Sequence, residues 1–117
     1  CSPRLNDLFV ENIKEYFPET KIEEAGHFTA STDMGDISHL MPSIHPFIGG
    51  VDGGLHTKDF CVTDFDAAAI LPGKVFAMNI IDLLYDEAAM AKEILEKEKP
   101  ILTKEEYLAK LESYFQS

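Results

Sequence analysis

Residues 30–60 limit the folds open to this chain. The stretch reads ASTDMGDISHLMPSIHPFIGGVDGGLHTKDF and holds three of the four histidines and five of the seven glycines. Pro42 and Pro46 forbid a long helix here, because proline lacks a backbone donor and crowds the preceding turn. A short helix carrying Asp33, Asp36 and His39 is expected to end before Pro42. The run Ser43-Ile44-His45-Pro46-Phe47-Ile48 reads as a buried strand, with Pro46 at an end, an edge or a bulge. It empties into Gly49-Gly50-Val51-Asp52-Gly53-Gly54, a loop that delivers His56 and Thr57. Glycine supplies the unusual backbone angles that bring such a loop close to a ligand.

On either side the pattern is helical. Ser2 and Pro3 suit an N-cap and a first helical position. Leu5, Leu8, Phe9, Ile13, Tyr16 and Phe17 follow at helical spacing up to Pro18. The expected role of this helix is to cover a sheet. Thr20 to Glu24 is a candidate short strand, and Ala25-Gly26-His27 a connector with His27 structural or solvated. Thr63-Asp64-Phe65-Asp66 resembles a capping box that opens another helix. Pro72-Gly73 should bend or restart it. Residues 75–84 are apolar on most of their surface, which predicts burial. A further helix is expected from Asp86, and a last one behind the capping box Thr103-x-x-Glu106.

Composition narrows the class of partner. The 117 residues suit one domain, and burial can reach roughly two-thirds of the chain surface at this size. The net charge of −11 argues against nucleic acid or an anionic membrane as partner, since phosphate binding needs clustered Lys and Arg. No apolar run of transmembrane length and no signal-peptide pattern is read. Cys1 and Cys61 are too few for a disulfide framework, which fits a reducing cytoplasm.

The chemistry read locally is modest. Asp33, Asp36 and His39 lie three apart and would share a helix face. They suit either an active-site turn or simple capping by Ser31, Thr32 or Asp33. His39 and His45 are metal-ligand candidates and equally candidate structural histidines. No pair among His39, His45 and His56 has the tight spacing of a helical zinc site.

Three motifs in order carry a resemblance. They are Ser31-Thr32-Asp33-Met34-Gly35-Asp36-Ile37-Ser38, then Met41-Pro42-Ser43-Ile44-His45-Pro46, then His56-Thr57-Lys58-Asp59-Phe60. Together they resemble the C-terminal part of the dinuclear-zinc amidohydrolases and metallopeptidases, the group of aminoacylases and carboxypeptidase G-like enzymes. The likeness is strongest to the branch of aminobenzoyl-glutamate utilisation protein B, and it runs to about Tyr85. Ala30 stands where that family usually has glycine.

The resemblance implies an α/β fold. A few strands, largely parallel in the parent, would be flanked by helices, with a helical C-terminus. Residues 1–117 would be a single C-terminal fragment of a catalytic domain. It also implies a zinc ion or another divalent metal in the complete enzyme, with His56 as the one ligand from this segment. Asp33, Asp36 and Thr57 would stand around it, with one of the two aspartates holding the second ring nitrogen of His56. The implied substrate is a small N-acyl amino acid, an aminobenzoyl-glutamate or a dipeptide. The family's other ligand motifs do not occur in this sequence, so the chain alone is expected to be inactive. Two other readings stay open: a non-catalytic remnant that forms homo-oligomers, and a histidine metal-binding module.

Overall fold

A computed structural model describes residues 1–24, 26 and 31–116. The expectations for Ala25, His27 and Ala30 lie outside the described residues. In chain order the elements are α1 (Pro3–Tyr16), α2 (Met34–Leu40), β1 (Val51–Asp52), β2 (Cys61–Val62), a π-helical turn (Asp66–Ile70), α3 (Leu71–Lys97) and α4 (Lys104–Phe115).

Local chemistry sets the helix ends. Ser2 caps α1 by accepting from Leu5 N–H at 3.1 Å, and Pro3 fills the first helical position. Thr103 and Glu106 form a reciprocal capping box at α4. One cap is shifted from its expected place: Asp64 Oδ1, not Thr63, accepts from Ala67 N–H at 3.0 Å.

Pro72 is absorbed upstream. It cannot donate and would crowd the carbonyl four residues back. The chain widens to a π turn over Asp66–Ile70, Leu71 N–H bonds to Asp66 C=O, and α3 begins with Pro72 in its first turn.

The core lies where α1 meets α3. Phe9, Ile13 and Val75 are buried, with Phe17, Ile44, Ile48 and Leu71 packed around them. Phe9 tilts against Phe76 at 5.4 Å between ring centroids. Asn12 crosses the same interface, its Nδ2 donating at 2.8 Å to both Asn79 Oδ1 and Asp82 Oδ2. A buried amide satisfied in this way fixes the register of two helices that apolar contacts alone would leave free to slide. Ser2 N–H donates to Ser43 C=O at 2.7 Å and ties the start of α1 to the extended segment.

The expected α/β fold is overturned. Among the described residues 59% are helical and only 4% strand. Among the described residues the one sheet is the hairpin β1–β2, with Val51 opposite Val62 and Asp52 opposite Cys61. The helix α1 packs on α3 rather than on a sheet. Neither the 20–24 run nor the 44–48 run is a regular strand. The latter keeps a strand-like alternation: Ile44 and Ile48 face the core, while His45 and Phe47 are exposed. A strand is completed by a neighbour's backbone, and that neighbour is missing among the described residues.

The 75–84 segment also departs from expectation. Val75 is fully buried, but Ile80, Ile81 and Leu84 are exposed. By length and composition alone the helical stretch Asp66–Lys97 is able to cross a membrane, contrary to the sequence reading. However, Asn79 and Asp82 meet Asn12 of α1, and the backbone of α3 reverses further on. Only 17% of the most apolar window of that stretch is buried, so α1 covers one side of it alone.

That reversal sits where the sequence suggested a new helix. Asp86, Glu87 and Ala88 have φ of 50°, 54° and 60°. Left-handed backbone costs a residue with a Cβ about 1–2 kcal/mol, and glycine almost nothing. Glu87→Gly should therefore stabilise the protein by about 1 kcal/mol in urea denaturation. In a right-handed helix interior the same change would destabilise by a similar amount, so a lowered midpoint would refute the reversal.

Candidate functional site

His56 sits on the connection between β1 and β2. Two glycines shape the hairpin, Gly50 before β1 and Gly53 after it. Gly50 has φ +84°, and a Cβ there would come within 2.5 Å of Asp64 O. Gly50 C=O accepts from Thr63 and Asp64 N–H at 2.9 and 3.1 Å, which seats the hairpin on the start of the π turn. Gly53 has φ +85°, and a Cβ there would collide with the Asp59 carbonyl. Asp52 Oδ1 accepts from Gly53 N–H at 2.7 Å. Beyond it, Thr57 N–H and Oγ1–H both bond to Gly54 C=O, at 3.1 and 2.8 Å. Thr57 thus locks the turn.

His56 itself is exposed and left-handed, with φ 62°. Histidine is among the side chains that tolerate this region best. Among the described residues its ring has no hydrogen-bond partner, so neither Asp33 nor Asp36 holds it as the resemblance implied.

Asp33 is the residue before α2, exposed and without a side-chain capping bond. Capping falls to Thr32, whose Oγ1 accepts from Met34 N–H at 3.2 Å. Asp36 and His39 lie on α2 and face α4 instead of the hairpin. With Leu102, Tyr107, Lys110, Leu111 and Tyr114 they line a small cavity of about 130 Å³. His39 Nδ1–H donates to Gly35 C=O at 2.6 Å, which leaves Nε2 as its free acceptor. Leu102 N–H donates to His39 C=O at 3.0 Å and pins the α3–α4 connection to α2.

Tyr107 was not among the candidates from sequence, where it counted only as part of an apolar helix face. Its phenol bonds to the Asp36 carboxylate. Burial first, then the Asp36 charge and hydrogen bond, hold its pKa above the usual value of 10.0. A raised pKa means the folded state keeps this proton more tightly. The resulting stability is present below about pH 10 and is lost as pH rises through the folded pKa. Tyr16, raised by the neighbouring Glu15 charge, and Lys97, raised by its bond to Glu93, add to the same decline. Tyr107→Phe should make the loss of thermal stability between roughly pH 9 and 11 shallower. An unchanged slope would separate Tyr107 from Asp36.

His45 is exposed, not buried in a strand as the sequence suggested. It stacks on Phe47 at 5.6 Å and 23°, and its Nδ1 lies 3.5 Å from Thr32 Oγ1. It stands on the rim of an open groove of about 1110 Å³ between α1 and residues 44–49, floored by Phe9, Ile13 and Ile48.

The three histidines therefore occupy three places: the hairpin loop, the α2–α4 contact and the rim of the groove. Among the described residues no three His, Cys, Asp or Glu side chains stand close enough to hold a metal ion. A structural zinc site takes four ligands and a catalytic one three plus water. The described residues therefore hold no complete donor set of their own.

No family model, no curated protein and no solved structure matches this chain. Its chemistry has to be argued from its own residues and motifs.

Proposed function

We propose that the chain is the C-terminal portion of a metal-dependent amidohydrolase acting on N-acyl amino acids, aminobenzoyl-glutamate or dipeptides. Its contribution would be one ligand, His56. The observation that carries this reading is the placement of His56. It rides an exposed loop whose shape depends on Gly50 and Gly53, its imidazole is unpartnered, and two motifs resembling the same family precede it in order. A side chain kept free at such a local cost in conformational freedom suits a role that another element completes. When bound, the metal would polarise the amide carbonyl and activate a water. The remaining ligands and the proton-transferring group would come from residues outside this sequence.

The reading as a histidine metal-binding module loses ground, because His39, His45 and His56 stand in three different settings. Isolated, the chain should bind zinc weakly and hydrolyse no acyl amino acid, measured by calorimetry and by amine release with zinc present. One tightly held zinc per chain would favour the module. Unaided hydrolysis would sink the idea that the catalytic set is shared with other residues.

A further inference from the structure

The helix α3 has two seams and buries only one. Pro72, Val75 and Asn79 are buried and, with Asp82, face α1. On the other side Ile70, Gly73, Ala77, Ile80 and Leu84 recur at alternating steps of three and four, the spacing of a helix-packing seam. All five are exposed, Leu84 and the adjacent Ile81 each to 64%. Nothing stands within 4 Å of the space above Gly73.

The whole molecule carries a matching excess of surface. Its accessible area is 9145 Å², while a folded monomer of 13.1 kDa exposes about 6,400 Å². It is a slab of 47 × 45 × 21 Å with a radius of gyration of 17.1 Å, against about 13 Å for a compact chain of this length. The excess of about 2,700 Å² is several times the roughly 800 Å² that each partner of a stable dimer buries.

We propose that this outer seam packs antiparallel against the same seam of a second copy, about a twofold axis at Ala77. Its test reads association of this chain and not amide hydrolysis, so its failure is distinct from failure of the amidohydrolase reading. The sizes along the seam favour self-pairing. Antiparallel about Ala77, Ile81 of one copy covers the space above Gly73 of the other, and Leu84 meets Ile70. Large side chains then face small ones, and the backbones approach closely at Gly73 and Ala77. Parallel pairing would set Gly73 against Gly73 and leave a void. A twofold interface also needs only one such surface per chain. Each copy carries a net charge of −11, so apolar burial works against repulsion. Salt should tighten this dimer, whereas it would loosen a basic partner.

The test is sedimentation velocity on the full chain. A dimer is expected at about 100 µM, with Kd near 10 µM or tighter, becoming tighter as salt rises. Ala77→Glu sets two carboxylates together on the axis and should weaken association at least roughly 100-fold. Ala77 is exposed, so circular dichroism should show the monomer still folded. With Cys1 and Cys61 replaced by serine, Gly73→Cys mixed with Ile81→Cys should cross-link under mild oxidation, and Gly73→Cys alone should not. A monomer at every concentration, a dimer indifferent to Ala77→Glu, or cross-linking of Gly73→Cys to itself would overturn the proposal. Uptake of the wild-type chain into neutral phosphatidylcholine vesicles in place of dimerisation would also overturn it, assigning the seam to a bilayer.

Discussion

Phe9→Ala is expected to cost about 3–5 kcal/mol, the range for removing a buried aromatic ring. A domain of this size is stable by about 5–15 kcal/mol in all, so the variant should be largely unfolded at modest urea. The core shows why. Phe9, Ile13 and Val75 form one small cluster, and Phe9 also meets Phe76 on α3. Removing its ring opens a cavity between two helices with few other buried contacts. The Asn12–Asn79 bond holds the two helices in register, which limits how far they can close on the space. Phe115→Ala is the control. Phe115 is 82% exposed, and its loss should fall close to the ±0.5 kcal/mol of an ordinary surface change. Urea denaturation of both variants decides the matter. If Phe9→Ala costs under about 1 kcal/mol, the α1–α3 contact is not the core.

In a complete enzyme carrying this segment, His56→Ala is expected to lose one metal ion and to slow turnover by more than about 100-fold. Partners that only orient a ligand are already worth about 10–100-fold, and a ligand should exceed them. His56→Asn serves as the companion variant, because asparagine accepts the left-handed backbone at this position. If both fail, the imidazole is needed; if only His56→Ala fails, the turn is. His45→Ala should leave metal content and rate unchanged, since His45 is exposed on a groove rim, stacked on Phe47 and apart from His56. Metal analysis beside amide hydrolysis reads all three. Full metal and rate in His56→Ala, with loss in His45→Ala, would transfer the ligand role to His45.

The α/β architecture was implied by the same resemblance that names His56, and its strands were read from runs of apolar residues. Residues 44–48 have the composition and alternation of a strand, and they do lie extended on the core. What they lack is a hydrogen-bonding neighbour among the described residues. Periodicity records which side of a segment is apolar; it does not record whether another backbone lies alongside. The candidate residues stand apart for a similar reason. Asp33, Asp36, His39 and His56 look close in sequence, yet α2 turns Asp36 and His39 toward α4. No local signal joins Asp36 to Tyr107, because 71 positions along the chain separate them (36 to 107).

The sequence by itself determined the features closed by bonds of short range. Ser2-Pro3 opens α1, Thr103-x-x-Glu106 opens α4, and Pro42 and Pro100 stop what precedes them. Gly50 and Gly53 shape the hairpin that carries His56. Each is decided within a few residues by a donor, an acceptor or a steric clash. Only the tertiary structure decided that α1 covers a helix rather than a sheet, that Asn12 reaches Asn79 and Asp82, and that one apolar seam of α3 is buried while the other is left outside. Those outcomes depend on which distant surface arrives. Burial is non-directional, so an apolar stripe is satisfied by any apolar partner, and its own sequence does not name one.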